Sequence, residues 1–273
     1  MENMDLLYII KMFIIGIVQG FTEPIPISSS GHVMIVSEIL HIGEQGFTFA
    51  ILTNTASLLA ILYVYRHDIA RLTVHSLSYI RTREKAYQSD FRFVLLLIIA
   101  TIPAGVLGVI LKDYIADVAN LFMIGLMLLI TGMALWLIRN MNGKKDEQDI
   151  TIKDAIIVGF GQAVALFPGI SRSGSTIISA VAVGMNRETA LRFSFMLYIP
   201  VSVGGLILGV TDFLEEPNKS ELILPYGVAF FSTLFMTFFS LKWFINIMKK
   251  GKLIYFVYYC FTVGSILVLT QLV

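Results

Sequence analysis

The chain has 273 residues, of which 56% are hydrophobic and only 14% charged, with a mean hydropathy of +0.80. That balance is too apolar for a water-soluble domain and selects a helical membrane protein. The net charge of +1, with cations grouped between apolar runs, gives no sign of nucleic-acid binding, and the single Cys260 excludes an intrachain disulfide or a CxxC metal site.

Leu6 to Val18 is apolar but short for a membrane span, and it runs into Q-G-F-T-E-P-I-P-I-S-S-S-G-H, Gln19 to His32. No basic region and small-residue cleavage site precede it, so no cleaved signal peptide is expected. Gln19 and Glu23 stand four apart, on one face of a helix that Pro24 and Pro26 then disrupt. Val33 to Leu40 is shorter still, so the pair reads as a helix that breaks at the serines and turns back or continues. Non-helical backbone at membrane depth is tolerated only beside protein or a water-filled cavity, and an ionisable cluster there is read as functional.

Phe47 to Tyr65 is a full-length span, followed by a loop to Arg92 carrying Arg71, Arg81, Arg83 and Lys85, expected to be cytoplasmic. Phe93 to Leu111 and Leu121 to Ile138 form an out-and-back pair joined by a segment with Asp113 and Asp117. Arg139, Lys144, Lys145 and Lys153 place the next loop on the cytoplasmic side too. Ala155 to Phe167 and Ile177 to Met185 are again short and apolar, flanking P-G-I-S-R-S-G-S-T. Phe193 to Val210 then leads to Asp212, Glu215, Glu216 and Glu221, with Lys219 the one base. Tyr226 to Met248 returns to Lys249, Lys250 and Lys252, and Leu253 to Leu272 is the last span.

The two polar turns are copies. An offset of 143 pairs Gly16 with Gly159, Gln19 with Gln162, Ile27 with Ile170, Ser28 with Ser171, Ser30 with Ser173 and Gly31 with Gly174. The copies differ in chemistry, since Glu23 faces Leu166, Ser29 faces Arg172 and His32 faces Ser175. The first paired span ends at a basic loop and the second at an acidic one, so the copies are expected in opposite orientation. The sequence therefore predicts a single integral-membrane domain over 1–273, with repeats of about 5–138 and 154–273. It is an all-α polytopic fold of inverted-topology repeats, whose two broken or re-entrant hairpins meet near the bilayer midplane.

The second turn offers the hydroxyls of Ser171, Ser173, Ser175 and Thr176, the close approach of Gly169 and Gly174, and the forked cation of Arg172. With a helix N-terminus this makes an anion cradle, phosphate above all. The first turn adds Glu23 as base or metal ligand, His32 as acid, base or nucleophile, and Ser29 as a nucleophile. Phosphoryl transfer to water is the chemistry so implied. For Ser28, Ser29 and Ser30 taken alone, helix capping is the simpler reading.

These motifs, Q-x-x-x-E before S-S-S-G-H and P-G-I-S-R-S-G-S-T in the second half, resemble those of the undecaprenyl-diphosphate phosphatase, or bacitracin-resistance, family over essentially the whole chain. The resemblance implies hydrolysis of undecaprenyl diphosphate to undecaprenyl phosphate and phosphate, in the bacterial inner membrane, with a site open to the outer side. It implies a divalent cation, Mg2+ or Ca2+, with Glu23 and Gln19 as its ligands. It further implies Glu23, Ser29, His32 and Arg172 as catalytic residues, with Gln19, Ser28, Ser30, Gly169, Ser171, Ser173 and Thr176 around the substrate. Its partners are the prenyl substrate and membrane lipid, and a homodimer is left open. Gln19 takes the amide option of its motif, and Ala50 and Asn54 stand where the family often has an acid and a glutamine. A secondary transporter or lipid flippase, also built on inverted repeats, is the competing reading.

The remaining polar residues receive structural roles. His41, His67 and His75 are expected at interfaces, and Glu38 and Glu188 in ion pairs with arginines. Trp136, Trp243 and Tyr255 to Tyr259 read as interfacial anchors, and the twelve methionines as packing.

Overall fold

The computed structural model describes residues 6–43, 46–117, 120–215 and 219–272, and all regular structure among them is helical. In chain order the helices are α1 (Leu6–Thr22), α2 (Ser29–Ile39), α3 (Phe47–Val64), α4 (Arg66–Thr82), α5 (Gln88–Asp117), α6 (Leu121–Ile138), α7 (Ile152–Val164), α8 (Arg172–Ala182), α9 (Arg187–Glu215), α10 (Lys219–Lys249) and α11 (Ile254–Leu272). Five stretches, within α5, α6, α9, α10 and α11, are long and apolar enough to cross a membrane. The chain is a multi-pass, all-α membrane protein.

The expected span from Phe47 forms α3, but the basic stretch after it is no loop. At Tyr65 the chain turns by 76° into α4, a second helix. The periodicity of Leu72, His75 and Tyr79 explains the difference, since these three place one side of the segment against Asp90, Tyr87 and Phe91. Asp113, Asp117 and the acidic segment 211–221 have side chains outside the described set, so the expectations placed on them lie there too.

Packing follows the duplication. α1 packs on α10 and its counterpart α7 on α5, while α3 packs on α10 and its counterpart α9 on α5. The counterparts α3 and α9 touch each other, as do α6 and α11. The contact pattern thus survives exchange of the two halves, as a two-fold relation requires.

Close approach is made by glycine. Gly16 and Gly20, a G-x-x-x-G pair on α1, lie against Ala229, Thr233 and Met236 of α10, where any Cβ would collide with the α10 backbone. The Thr233 hydroxyl donates to the Gly16 carbonyl at 3.0 Å across this seam.

Candidate active site

Two prolines create the site by withholding two N–H groups. α1 ends at Thr22, and the turn through Ile27 leaves carbonyls with no helical partner. Side chains from the rest of the molecule supply the missing donors. The Ser240 hydroxyl reaches the Phe21 carbonyl at 2.5 Å, and Ser173 reaches those of Glu23 and Ile25, both at 3.2 Å. Ser171 also reaches the Ile25 carbonyl, at 3.3 Å, and the Cys260 thiol lies 3.9 Å from that of Pro26. The two polar turns therefore meet, the second stitched onto the first.

This stitching settles where several expected substrate ligands sit. Ser28 and Ser171 cap α2 and α8, accepting from the Gly31 and Gly174 N–H groups at 3.3 and 3.1 Å. Ser28 holds a positive φ of 69°, rare for a residue with a Cβ. Thr176 donates to the Arg172 carbonyl at 3.0 Å. Gly169, at φ 91°, presses on Ile124 and Met127 of α6, where a Cβ would clash. Of the hydroxyls expected around phosphate, Ser29 and Ser30 line the cavity, whereas Ser28, Ser171, Ser173 and Thr176 are spent on the backbone.

The cavity measures about 670 Å³ and has a polar floor formed by Gln19, Glu23, Ser29, Ser30, Asn54 and Arg172. Its walls are apolar, with Val33, Met34, Phe49, Ile51 and Leu121. Glu23 is the focus of the floor and is 8% exposed. Its Oε2 accepts from the Gln19 amide at 2.8 Å and, in a very short contact, from the Ser29 hydroxyl. Its Oε1 pairs with Arg172 Nη2 at 3.3 Å. Three donors from three side chains thus converge on its two oxygens.

Arg172 is itself fixed on all sides. Nη2 donates to Asn54 Oδ1 at 2.9 Å and Nη1 to the Ser202 hydroxyl at 3.2 Å. The guanidinium carbon lies 4.5 Å from the ring centre of Tyr198, whose hydroxyl donates to the same Asn54 Oδ1 at 2.6 Å. Asn54, Tyr198 and Ser202 were not singled out as site residues from the sequence. The usable signal was a lone carboxamide inside the apolar run Phe47 to Tyr65.

His32 goes elsewhere. Its Nδ1 lies 2.7 Å from the Ser28 carbonyl and its Nε2 2.6 Å from the Tyr259 hydroxyl, with the two rings stacked at 5.5 Å. A carbonyl only accepts, so Nδ1 carries the proton and a neutral ring accepts from Tyr259 through Nε2. The imidazole thus stands off the cavity floor, buttressed by Tyr259. Glu188 pairs with Lys249 at 3.8 Å instead of an arginine, while Glu38 lines the cavity and is exposed.

The floor donors are hard oxygens, namely the Glu23 carboxylate, the Ser29 hydroxyl and the amide oxygens of Gln19 and Asn54. No three His, Cys, Asp or Glu converge among the described residues. Such a set fits a hard cation that takes its other ligands from phosphate oxygens and water.

Comparison with known proteins gives the family. The family described as "Bacitracin resistance protein BacA" matches residues 12–266. The chain is 57% identical to "Undecaprenyl-diphosphatase 2" of Bacillus thuringiensis (strain Al Hakam) over 94% of its own length and 96% of that protein's. It is 53% identical to "Undecaprenyl-diphosphatase 1" of Bacillus licheniformis over 96% and 97% of the two chains. Against "Undecaprenyl-diphosphatase" of Oceanobacillus iheyensis the identity is 50%, over 96% of each. With the match running from Met12 through both polar turns to Ile266, the chain belongs to the BacA bacitracin-resistance protein family.

Proposed function

We infer that the chain hydrolyses undecaprenyl diphosphate to undecaprenyl phosphate and inorganic phosphate, regenerating the lipid carrier of bacterial cell-wall synthesis and conferring bacitracin resistance. The observation that carries this reading is the Glu23–Arg172 pair on the floor of an apolar-walled cavity. A diphosphate needs the fixed cation, and a prenyl chain needs the walls. The transporter reading is not favoured, because the relatives carry a hydrolase name and the two repeats contribute unequal chemistry.

In this reading Arg172 binds the terminal phosphate and stabilises charge on the phosphorus under attack. Ser29 is the nucleophile. Its Oγ–P bond forms as its proton passes to Glu23 Oε2, and the P–O bond to undecaprenyl phosphate breaks. Water then attacks the seryl phosphate, the Oγ–P bond breaks, Oγ recovers the proton from Glu23 and phosphate leaves. The contact between Ser29 and Glu23 supports this assignment over one in which His32 is the base. His32 holds the start of α2, and hence Ser29, in place through Ser28 and Tyr259. A divalent cation would be held by Glu23 and the Gln19 amide oxygen together with diphosphate oxygens, and would supply charge neutralisation there. The site opens to the outer face of the inner membrane.

The test is phosphate release from undecaprenyl diphosphate by purified protein. Ser29→Ala and Glu23→Gln should each lower kcat at least ~100-fold, the scale of losing a nucleophile or its base. Wild-type protein quenched in acid during turnover should carry acid-stable phosphate on Ser29. Near-normal turnover in Ser29→Ala would leave water as the nucleophile.

A further inference from the structure

We propose that α4 is an interfacial anchor that binds the anionic phospholipid surface of the membrane in which the protein sits. The argument starts from its outward face. Arg66, Ala70, Val74, Leu77 and Arg81 follow one another at intervals of three and four, so they form one stripe along the helix. Its middle is apolar and its two ends are cationic. Val74, Leu77 and Ile80 are 59%, 63% and 56% exposed. An apolar stripe left in water is costly, and in a membrane protein lipid is the available cover.

The geometry favours the surface over the interior of the bilayer. α4 leaves α3 at 76°, so the two helices do not continue as one straight span and α4 turns sharply away from the apolar helix before it. The opposite side of α4 is occupied, with Leu72 buried, His75 2.5 Å from Asp90, and Tyr79 against Phe91. The helix thus presents lipid with one face only, which is the arrangement of a helix lying at an interface.

Charge selects the kind of lipid. Asp68 and Asp90 are engaged by Arg71, Arg192 and His75, and Glu84 is the one exposed acid between 66 and 92. Against it stand Arg66, Arg81, Arg83 and Lys85, all exposed. Arg66 and Arg83 lean on the Tyr63 and Tyr79 rings at 4.6 and 5.6 Å, which holds the side chains over aromatic surface. Long cationic side chains flanking an apolar stripe reach outward to phosphate while their stems stay in the acyl boundary.

The experiment uses the full chain in nanodiscs of phosphatidylcholine, with or without phosphatidylglycerol. Leu77→Cys carries an environment-sensitive fluorophore, and buried Cys260 remains in place. Phosphate release in detergent confirms that the labelled protein is folded. The expected result is quenching by a nitroxide on the lipid near its headgroup and protection from aqueous iodide. Protection should rise with phosphatidylglycerol and fall with added salt. Arg66→Gln, Arg81→Gln and Arg83→Gln together should remove that dependence, at on the order of fivefold in surface partitioning per arginine. The salt titration of the labelled protein carries the test even if the triple variant fails to fold. Full iodide access in both lipids would put the helix in water and overturn the proposal. Protection indifferent to phosphatidylglycerol and salt would overturn the anionic selectivity. Self-quenching that vanishes in discs holding single copies would show a second copy of the chain on this face instead.

Discussion

Arg172 spends Nη2 on Glu23 and Asn54 and Nη1 on Ser202, so the direction of its fork is already set, and the proposed function has the diphosphate meet it there. Arg172→Lys keeps the charge and loses the fork, and activity should fall on the order of a hundredfold or more. A lysine variant that turns over normally would reduce Arg172 to a counter-ion of Glu23. Tyr198→Phe removes the hydroxyl that donates to Asn54 and keeps the ring under the guanidinium. Its kcat should drop by about two- to tenfold, the scale of one hydrogen bond, with KM little changed. Tyr198→Ala, which also loses the ring, should cost more. Glu23, Ser29 and Arg172 were legible in the sequence because an acid, a hydroxyl run and a cation stand out between apolar runs. The capping and stitching roles of Ser171 and Ser173 were not. A hydroxyl reads alike whether its partner is a phosphate or the carbonyl of a distant turn, and only the fold supplies the partner.

At the scale of the element, α1 owes its place to two small residues. Gly20→Leu should force α1 off α10, costing about 1–3 kcal/mol as overpacking. It should also lower activity, because Gln19 and Glu23 ride on that helix, and a thermal melt beside a phosphate assay reads both. α7 owes its start to Asp154, whose carboxylate takes Lys145 Nζ at 2.9 Å on both oxygens and the Thr151 N–H at 2.9 Å. Burial works against the charged form, but Lys145 and Thr151 outweigh it, so the pKa lies below the ordinary 3.8. The stability from this group is therefore present above about pH 4 and lost as pH falls through the depressed folded value. Asp154→Asn should be less stable by about 2 kcal/mol at neutral pH, with the gap closing on acidification, as melting at a series of pH values will measure. The break between α1 and α2 was legible from Pro24 and Pro26. The helical nature of 66–82 was hidden, because its charges read as loop while its inward face depends on Asp90, Tyr87 and Phe91.

For the whole molecule, the duplication was visible as a constant offset of 143, and the exchange of packing partners between halves is its spatial form. The unequal chemistry of the two copies shows at one buried side chain. Gln162, the counterpart of Gln19, is buried with neither amide atom partnered among the described residues, because Leu166 stands where Glu23 would. One expectation at this scale is orientation, which rests on the charge bias of the loops. A cysteine in place of Lys144 should be reached by an impermeant label only from inside the cell, and one in place of Asn218, outside the described residues, only from outside. The reverse pattern would invert the assignment and turn the cavity toward the cytoplasm.

The donors that close the first turn are encoded far downstream of it. Ser171 and Ser173 emerge from the ribosome roughly 150 residues after Ile25, which at ~5–20 residues per second is a wait of about 7–30 s. Ser240 and Cys260 come later still. Throughout that interval the carbonyls of Phe21, Glu23 and Pro26 lack the side-chain donors they meet in the finished fold, while those of Thr22 and Ile25 already have the Ile25 and Ile27 N–H groups. The first turn therefore completes its hydrogen bonding only with segments synthesised well after it, and the Glu23 backbone gains its Ser173 donor late.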